Sequence, residues 1–143
     1  MLPIKNLTIH CTATPEGRDN TAAEVTRWDI ERFGQPSYHI VIELDGDAVR
    51  TLPDDKRGAH TGGNNTGNIG ISYVGGTEKL NAGGKPKDTR TKAQKETMRK
   101  LVLEYQKKYP GIRVRGHREW PKVAKACPSF DVQAWLKAGM PVD

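Results

Sequence analysis

The sequence predicts a mixed α/β fold, one domain over residues 1–143 with a central mixed β-sheet flanked by helices, and three observations carry that prediction. Residues 4–12 and 112–117 alternate apolar and polar side chains with the two-residue period of a half-buried strand. Two further stretches, at about 21–33 and 91–109, repeat apolar residues at helical spacing and are closed by glycine or proline. Between them lies a hairpin pattern centred on Asp45-Gly46. A chain of 143 residues suits a single domain, because folding at that length removes about two thirds of the unfolded chain's surface from water.

In "IKNLTIHCT", Leu7, Ile9 and Cys11 share one face and Thr8, His10 and Thr12 the other, so Cys11 is expected to pack and His10 to look outward. The next helix brings Ala22, Val25 and Trp28 near one stripe, with Gly34 as its stop. "YHIVIELDGDAVRTL" sets β-prone runs on either side of Asp45-Gly46, a pair that tolerates the positive φ angles of a tight turn. Glycine and asparagine fill "RGAHTGGNNTG", which predicts a loop, and "NIGISYVGG" after it reads as a buried strand. Residues 77–90 are polar, glycine-rich and aperiodic, as an exposed, mobile loop would be. On the long helix, Met98, Leu101, Val102 and Tyr105 form an apolar stripe that ends at Pro110-Gly111. "IRVRGH" repeats the first strand's alternation, with Ile112 and Val114 on one side and Arg113, Arg115 and His117 on the other. "FDVQAWLKAG" predicts a short terminal helix with Asp131 as N-cap and Gly139 as stop.

Composition narrows the function classes. Hydrophobic residues at 35% with three tryptophans argue for a folded globule rather than a disordered chain. No stretch approaches the roughly 18 apolar residues of a membrane span, and the opening "MLPIKNLTIHCTA" lacks the apolar run of a secretory signal. The expectation is therefore synthesis in the cytoplasm, where two cysteines stay reduced. A balance of 23 Lys+Arg against 17 Asp+Glu favours an anionic partner: nucleic acid, a membrane surface or a carboxylate-bearing wall polymer. The basic residues are spread out rather than gathered into a nucleic-acid-reading motif.

His10 and His117 each sit opposite the apolar face at the C-terminal end of a strand, where α/β proteins put their sites. Ten residues after His117 comes Cys127, in a loop restricted by Pro121 and Pro128. Two imidazoles and a thiolate suit Zn²⁺ with a fourth, open position, an arrangement that serves hydrolysis rather than structure. No CxxC or HExxH spacing supports that reading. A lone histidine is more often a surface or hydrogen-bonded residue, and a lone reduced cysteine a small buried hydrophobe.

Five segments in order, "IHCTAT", "YHIVIELDG", "GAHTGGNNTGNIGISYVGG", "RGHREWP" and "KACPSFDV", span nearly the whole chain. Together they resemble the zinc N-acetylmuramoyl-L-alanine amidases, particularly the small single-domain phage lysozymes of that family, whose fold peptidoglycan recognition proteins share. The resemblance implies that His10, His117 and Cys127 are the ligands of one Zn²⁺ per chain. It implies catalytic roles for Tyr38 and Lys125, which match a tyrosine and a lysine that the phage enzymes need for activity. His60 falls in a loop that lines the substrate cleft in relatives, which implies substrate binding. Non-catalytic recognition domains lack the ligand cysteine, so Cys127 favours an enzyme.

The implied reaction is hydrolysis of the amide between the lactyl group of N-acetylmuramic acid and L-alanine in peptidoglycan, by a monomeric phage endolysin. That role places it on the periplasmic wall after a partner has permeabilised the membrane, with no nucleic acid required. Some phage relatives of the family also bind a viral RNA polymerase through their N-terminal region, a partner that the resemblance alone raises for a chain whose leader before the first strand is short. Competing readings are a thiol hydrolase using Cys127 with His117 as base, a non-catalytic wall-binding module, a nucleic-acid binder and a cytosolic wall-recycling amidase.

Overall fold

Leu7 and Ile9 are fully buried, and the register of their strand decides where the remaining elements go. The computed structural model describes residues 3–79 and 84–143. In chain order its elements are β1 (Asn6–Cys11), β2 (Thr14–Pro15), α1 (Ala22–Phe33), β3 (Ile40–Ile42), β4 (Ala48–Arg50), β5 (Asn68–Tyr73) and β6 (Gly76–Thr77), followed by α2 (Lys92–Lys108), β7 (Arg113–Gly116), a 3-10 turn (His117–Glu119) and α3 (Val132–Lys137). Five strands form one sheet in the order β4-β3-β5-β1-β7, and β2 pairs separately with β6. β1 runs parallel to β5 and β7, β3 runs parallel to β5, and β4 returns antiparallel to β3. Gly46 makes that return with φ 90°. The sheet is mixed and flanked by helices, as the sequence predicts.

Alternation assigns the two faces. Leu7 pairs with Ile69 and Val114, and Ile9 with Ile71, so these side chains form one apolar surface. Met98, Leu101, Val102 and Tyr105 of α2 cover it, with Phe130, Val132 and Trp135 at its edge. Burying each large aliphatic side chain contributes about 1.5–3 kcal/mol, and a one-residue slip of β1 would exchange this set for Thr8 and His10. The opposite face is covered differently. Helix α1 packs there through Ala22 and Val25 on Val41 and Val74, beside Tyr38. The side of that face nearest β1 and β7 is left to loops, and the site forms there.

Helix boundaries follow the expected chemistry. Thr21 and Glu24 form a reciprocal capping box before α1, and Gly34 ends it with φ 78°. Thr91 and Gln94 do the same for α2, and Asp131 caps α3. Trp28 departs from its expected place on the stripe: it is 37% exposed, because only the first turns of α1 reach the sheet. Residues 77–90 are exposed from Lys85 to Asp88 as expected but depart at their two ends. The Glu78 N–H donates to Lys85 O at 2.8 Å, and Thr89 and Arg90 are buried. The Arg90 guanidinium lies 3.4 Å over the Phe130 ring and pairs with Asp88, which gives an apparently solvated segment a buried anchor. Residues 80–83 of that segment and residues 1–2 of the leader lie outside the described residues.

Candidate metal centre

Parallel pairing on both sides of β1 brings the ends of β1 and β7 together. His10 is the penultimate residue of β1, and His117 opens the turn where β7 stops. The Gly116 N–H donates to Glu119 Oε2 at 2.6 Å, closing that turn. Gly116 is also where the Cys127 loop descends: a Cβ there would stand 2.9 Å from Pro128 Cδ, so only glycine permits the approach. Three bonds then hold the loop. The Tyr73 hydroxyl donates to Pro128 O at 2.6 Å, the Arg118 N–H to Cys127 O at 2.9 Å and the Ser129 hydroxyl to Gly76 O at 2.8 Å.

As a result, one donor atom each from His10, His117 and Cys127 lies within 4.8 Å of the others. Cys127 Sγ is 3.8 Å from His10 Nδ1, and the two imidazole centroids are 4.6 Å apart. His10 does not look out to solvent as expected; at 1% exposure it is roofed by Tyr38, His60 and His117.

Burial, with the neighbouring His60, His117 and Lys125, holds His10 well below the usual histidine range. Burial and Lys125 lower His117 too, so both rings are neutral near pH 7 and have lone pairs to offer. The adjoining Cys11 thiol and burial push the Cys127 thiol up. A divalent cation beside that thiol would deprotonate it. Two neutral imidazoles and a thiol that converge within one coordination sphere fit Zn²⁺ in chemistry and in spacing.

Tyr38 lies just before β3, its ring centroid 5.2 Å from that of His10. Burial first, and then Cys127, push its phenol far up, so it is a donor rather than a base. Lys125 is exposed and lines, with His117, a cleft of about 890 Å³. Lys5, Arg113, Arg115 and Lys122 also line it, and no acidic side chain is among the described residues that do.

His60 is corrected. Its loop reaches the cleft through Gly62 and Asn64, while His60 itself turns inward to 7% exposure with both ring nitrogens in hydrogen-bond contact with protein groups. It stands against His10, the ring centroids 4.8 Å apart.

Sequence reading missed the polar layer beneath the cleft. The Trp120 indole N–H donates to Thr8 Oγ1 at 3.0 Å, and the Thr8 hydroxyl donates to Asn68 Oδ1 at 2.7 Å. Asn65 Oδ1 accepts from the N–H groups of both His60 and Thr61. Asn65 reads as a loop residue and Asn68 as the start of a strand, and neither reading reveals the bond that joins Asn68 to Thr8 across β1 and β5.

The sequence profile of the family described as N-acetylmuramoyl-L-alanine amidase matches residues 1–130. The chain is 33% identical over 128 residues to the endolysin of Klebsiella phage KP32, covering 89% of this chain and 82% of that one. The endolysin of Escherichia phage T7 shows the same identity and coverage. Among solved structures, the Ph2119 endolysin from the Thermus scotoductus MAT2119 bacteriophage superposes with a TM-score of 0.77 at 19% identity, over 96% of this chain and 85% of that one. The amidase LysC from Clostridium intestinale URNW gives 0.75 at 21% identity, over 96% and 86%.

Proposed function

Because the chain belongs to the N-acetylmuramoyl-L-alanine amidase family and is a peptidoglycan amidase, we propose that His10, His117 and Cys127 hold one Zn²⁺ and that Tyr38 and Lys125 serve the reaction. The observation that carries this reading is the convergence of three donor atoms within 4.8 Å at the ends of two parallel strands. All three come from one chain, so the site needs no second copy. When bound, Zn²⁺ supplies Lewis-acid polarisation of a carbonyl and acidifies a water molecule.

The protein's own groups do the rest. The Tyr38 phenol, kept protonated by burial, donates a hydrogen bond to the oxyanion that develops at the scissile carbonyl. The Lys125 ammonium, on the cleft wall beside His117, adds a full positive charge to the same stabilisation. His10 and His117 stay neutral and so remain ligands across the neutral range. The Cys11 N–H, 3.2 Å from Cys127 Sγ, supports a thiolate there.

Substrate enters along the basic cleft. Lys5, Arg113, Arg115 and Lys122 face a stem peptide that carries free carboxylates, and the Trp120 indole, with Arg115 stacked 4.1 Å above it, supplies a flat surface. Among the described residues no helix is long and apolar enough to cross a membrane, and the relatives at 33% identity are phage endolysins. Host lysis is the biological role proposed. The test is to identify the ends released from purified peptidoglycan: free L-alanine amino termini support the reading, and new reducing sugar ends or bound but uncut wall would overturn it.

A further inference from the structure

The geometry points to His60 as a positioning residue that fixes which nitrogen of His10 faces the metal. This rests on the zinc reading of His10, His117 and Cys127. His60 Nε2 lies 2.9 Å from Asn68 O, which can only accept, so His60 carries its proton on Nε2 and leaves Nδ1 as an acceptor. His10 Nε2 lies 2.9 Å from that acceptor and must therefore be the protonated nitrogen of its ring. The proton on His10 Nε2 leaves Nδ1 bare, and Nδ1 is the atom that faces Cys127 Sγ at 3.8 Å. Thr61 Oγ1 stands 2.9 Å from the same His60 nitrogen and shares its lone pair.

The fold goes to some length to keep this ring in place. A Cβ on Gly70 would stand 2.5 Å from His60 Cδ2, and one on Gly58 would stand 2.7 Å from the same atom, so the imidazole occupies a slot that two glycines leave open. Its backbone N–H is held by Asn65 Oδ1 at 3.0 Å. Asn68, whose carbonyl oxygen accepts from His60, pairs with Asn6 at the start of β1 and so ties the tautomer of His10 to the register of the sheet. An outer partner that orients a metal-binding histidine is worth about 10–100-fold in metal affinity.

Two measurements test the inference. Long-range ¹H–¹⁵N NMR of the metal-free wild type should find His10 protonated on Nε2; protonation on Nδ1 overturns the inference. Zinc affinity, measured by competition with a chromophoric chelator, should fall about 10–100-fold in His60→Ala with the fold retained by circular dichroism. His60→Asn, whose Oδ1 stands near the place of the lost Nδ1, should recover most of that affinity and also serves if the alanine variant does not fold. Equal zinc affinity in wild type and His60→Ala, or no recovery in His60→Asn, defeats the positioning role while leaving the metal centre standing. A wild type that binds no zinc defeats both.

Discussion

The backbone N–H of Cys11 points at Cys127 Sγ across 3.2 Å, so one cysteine serves the other through its main chain while its own thiol packs in the core. The two cysteines should therefore respond differently to truncation. Cys127→Ala removes one of the three proposed zinc ligands, and both stoichiometric zinc and wall lysis should vanish. Cys11→Ala keeps the N–H and should retain both, at a stability cost of about 1 kcal/mol. Elemental analysis beside a turbidity assay on purified wall checks the pair.

In the proposed reaction Tyr38 acts through its hydrogen rather than as a base. Tyr38→Phe should lower kcat by roughly 10²–10³ with little change in KM, as loss of one oxyanion donor does. Since burial pushes the phenol up, the wild-type rate profile should show no loss of activity on the alkaline side attributable to tyrosine ionisation. Comparing the alkaline limbs of wild type and Tyr38→Phe tests the assignment; a limb present only in the wild type would oppose it.

Arg113 is exposed on the wall of the cleft and is not among the three proposed ligands. Arg113→Glu should raise KM for wall fragments by about tenfold with kcat nearly unchanged, an effect that shrinks at high salt. Steady-state kinetics on soluble muropeptides at two ionic strengths reads this directly.

Acid should destabilise the metal-free protein through its buried histidines. Burial lowers His60 from 6.5 to about 3, and His39 is lowered too. Below pH 6.5 the unfolded chain takes up protons that the folded one refuses, so stability is full above that value and is lost as pH falls. Each such group contributes up to about 1.4 kcal/mol per pH unit. Urea midpoints from about pH 8 to pH 5 in chelator should decline in wild type and decline less steeply in His60→Asn.

Much of this was legible in the linear sequence. Alternation placed Leu7, Ile9 and Cys11 on the core face and put His10 and His117 at strand ends, and capping residues located the helices. The sequence could not say that His10 would be buried, because its cover comes from Tyr38, His60 and His117, which are far apart in the chain. It could not turn His60 inward either, since that depends on space left by Gly58 and Gly70 on separate segments. The burial of Arg90 was hidden in the polar segment 77–90 because its anchor, the Phe130 ring, lies 40 positions away and leaves no local period.

The central claim is that hydrolysis depends on one Zn²⁺ held by His10, His117 and Cys127. It is tested most directly by stripping the protein with a chelator, adding zinc back in measured equivalents and quantifying L-alanine amino termini released from purified peptidoglycan. Release should be absent without zinc and should saturate at one equivalent per chain. Full release from stripped protein, or release that ignores added zinc, would contradict the account.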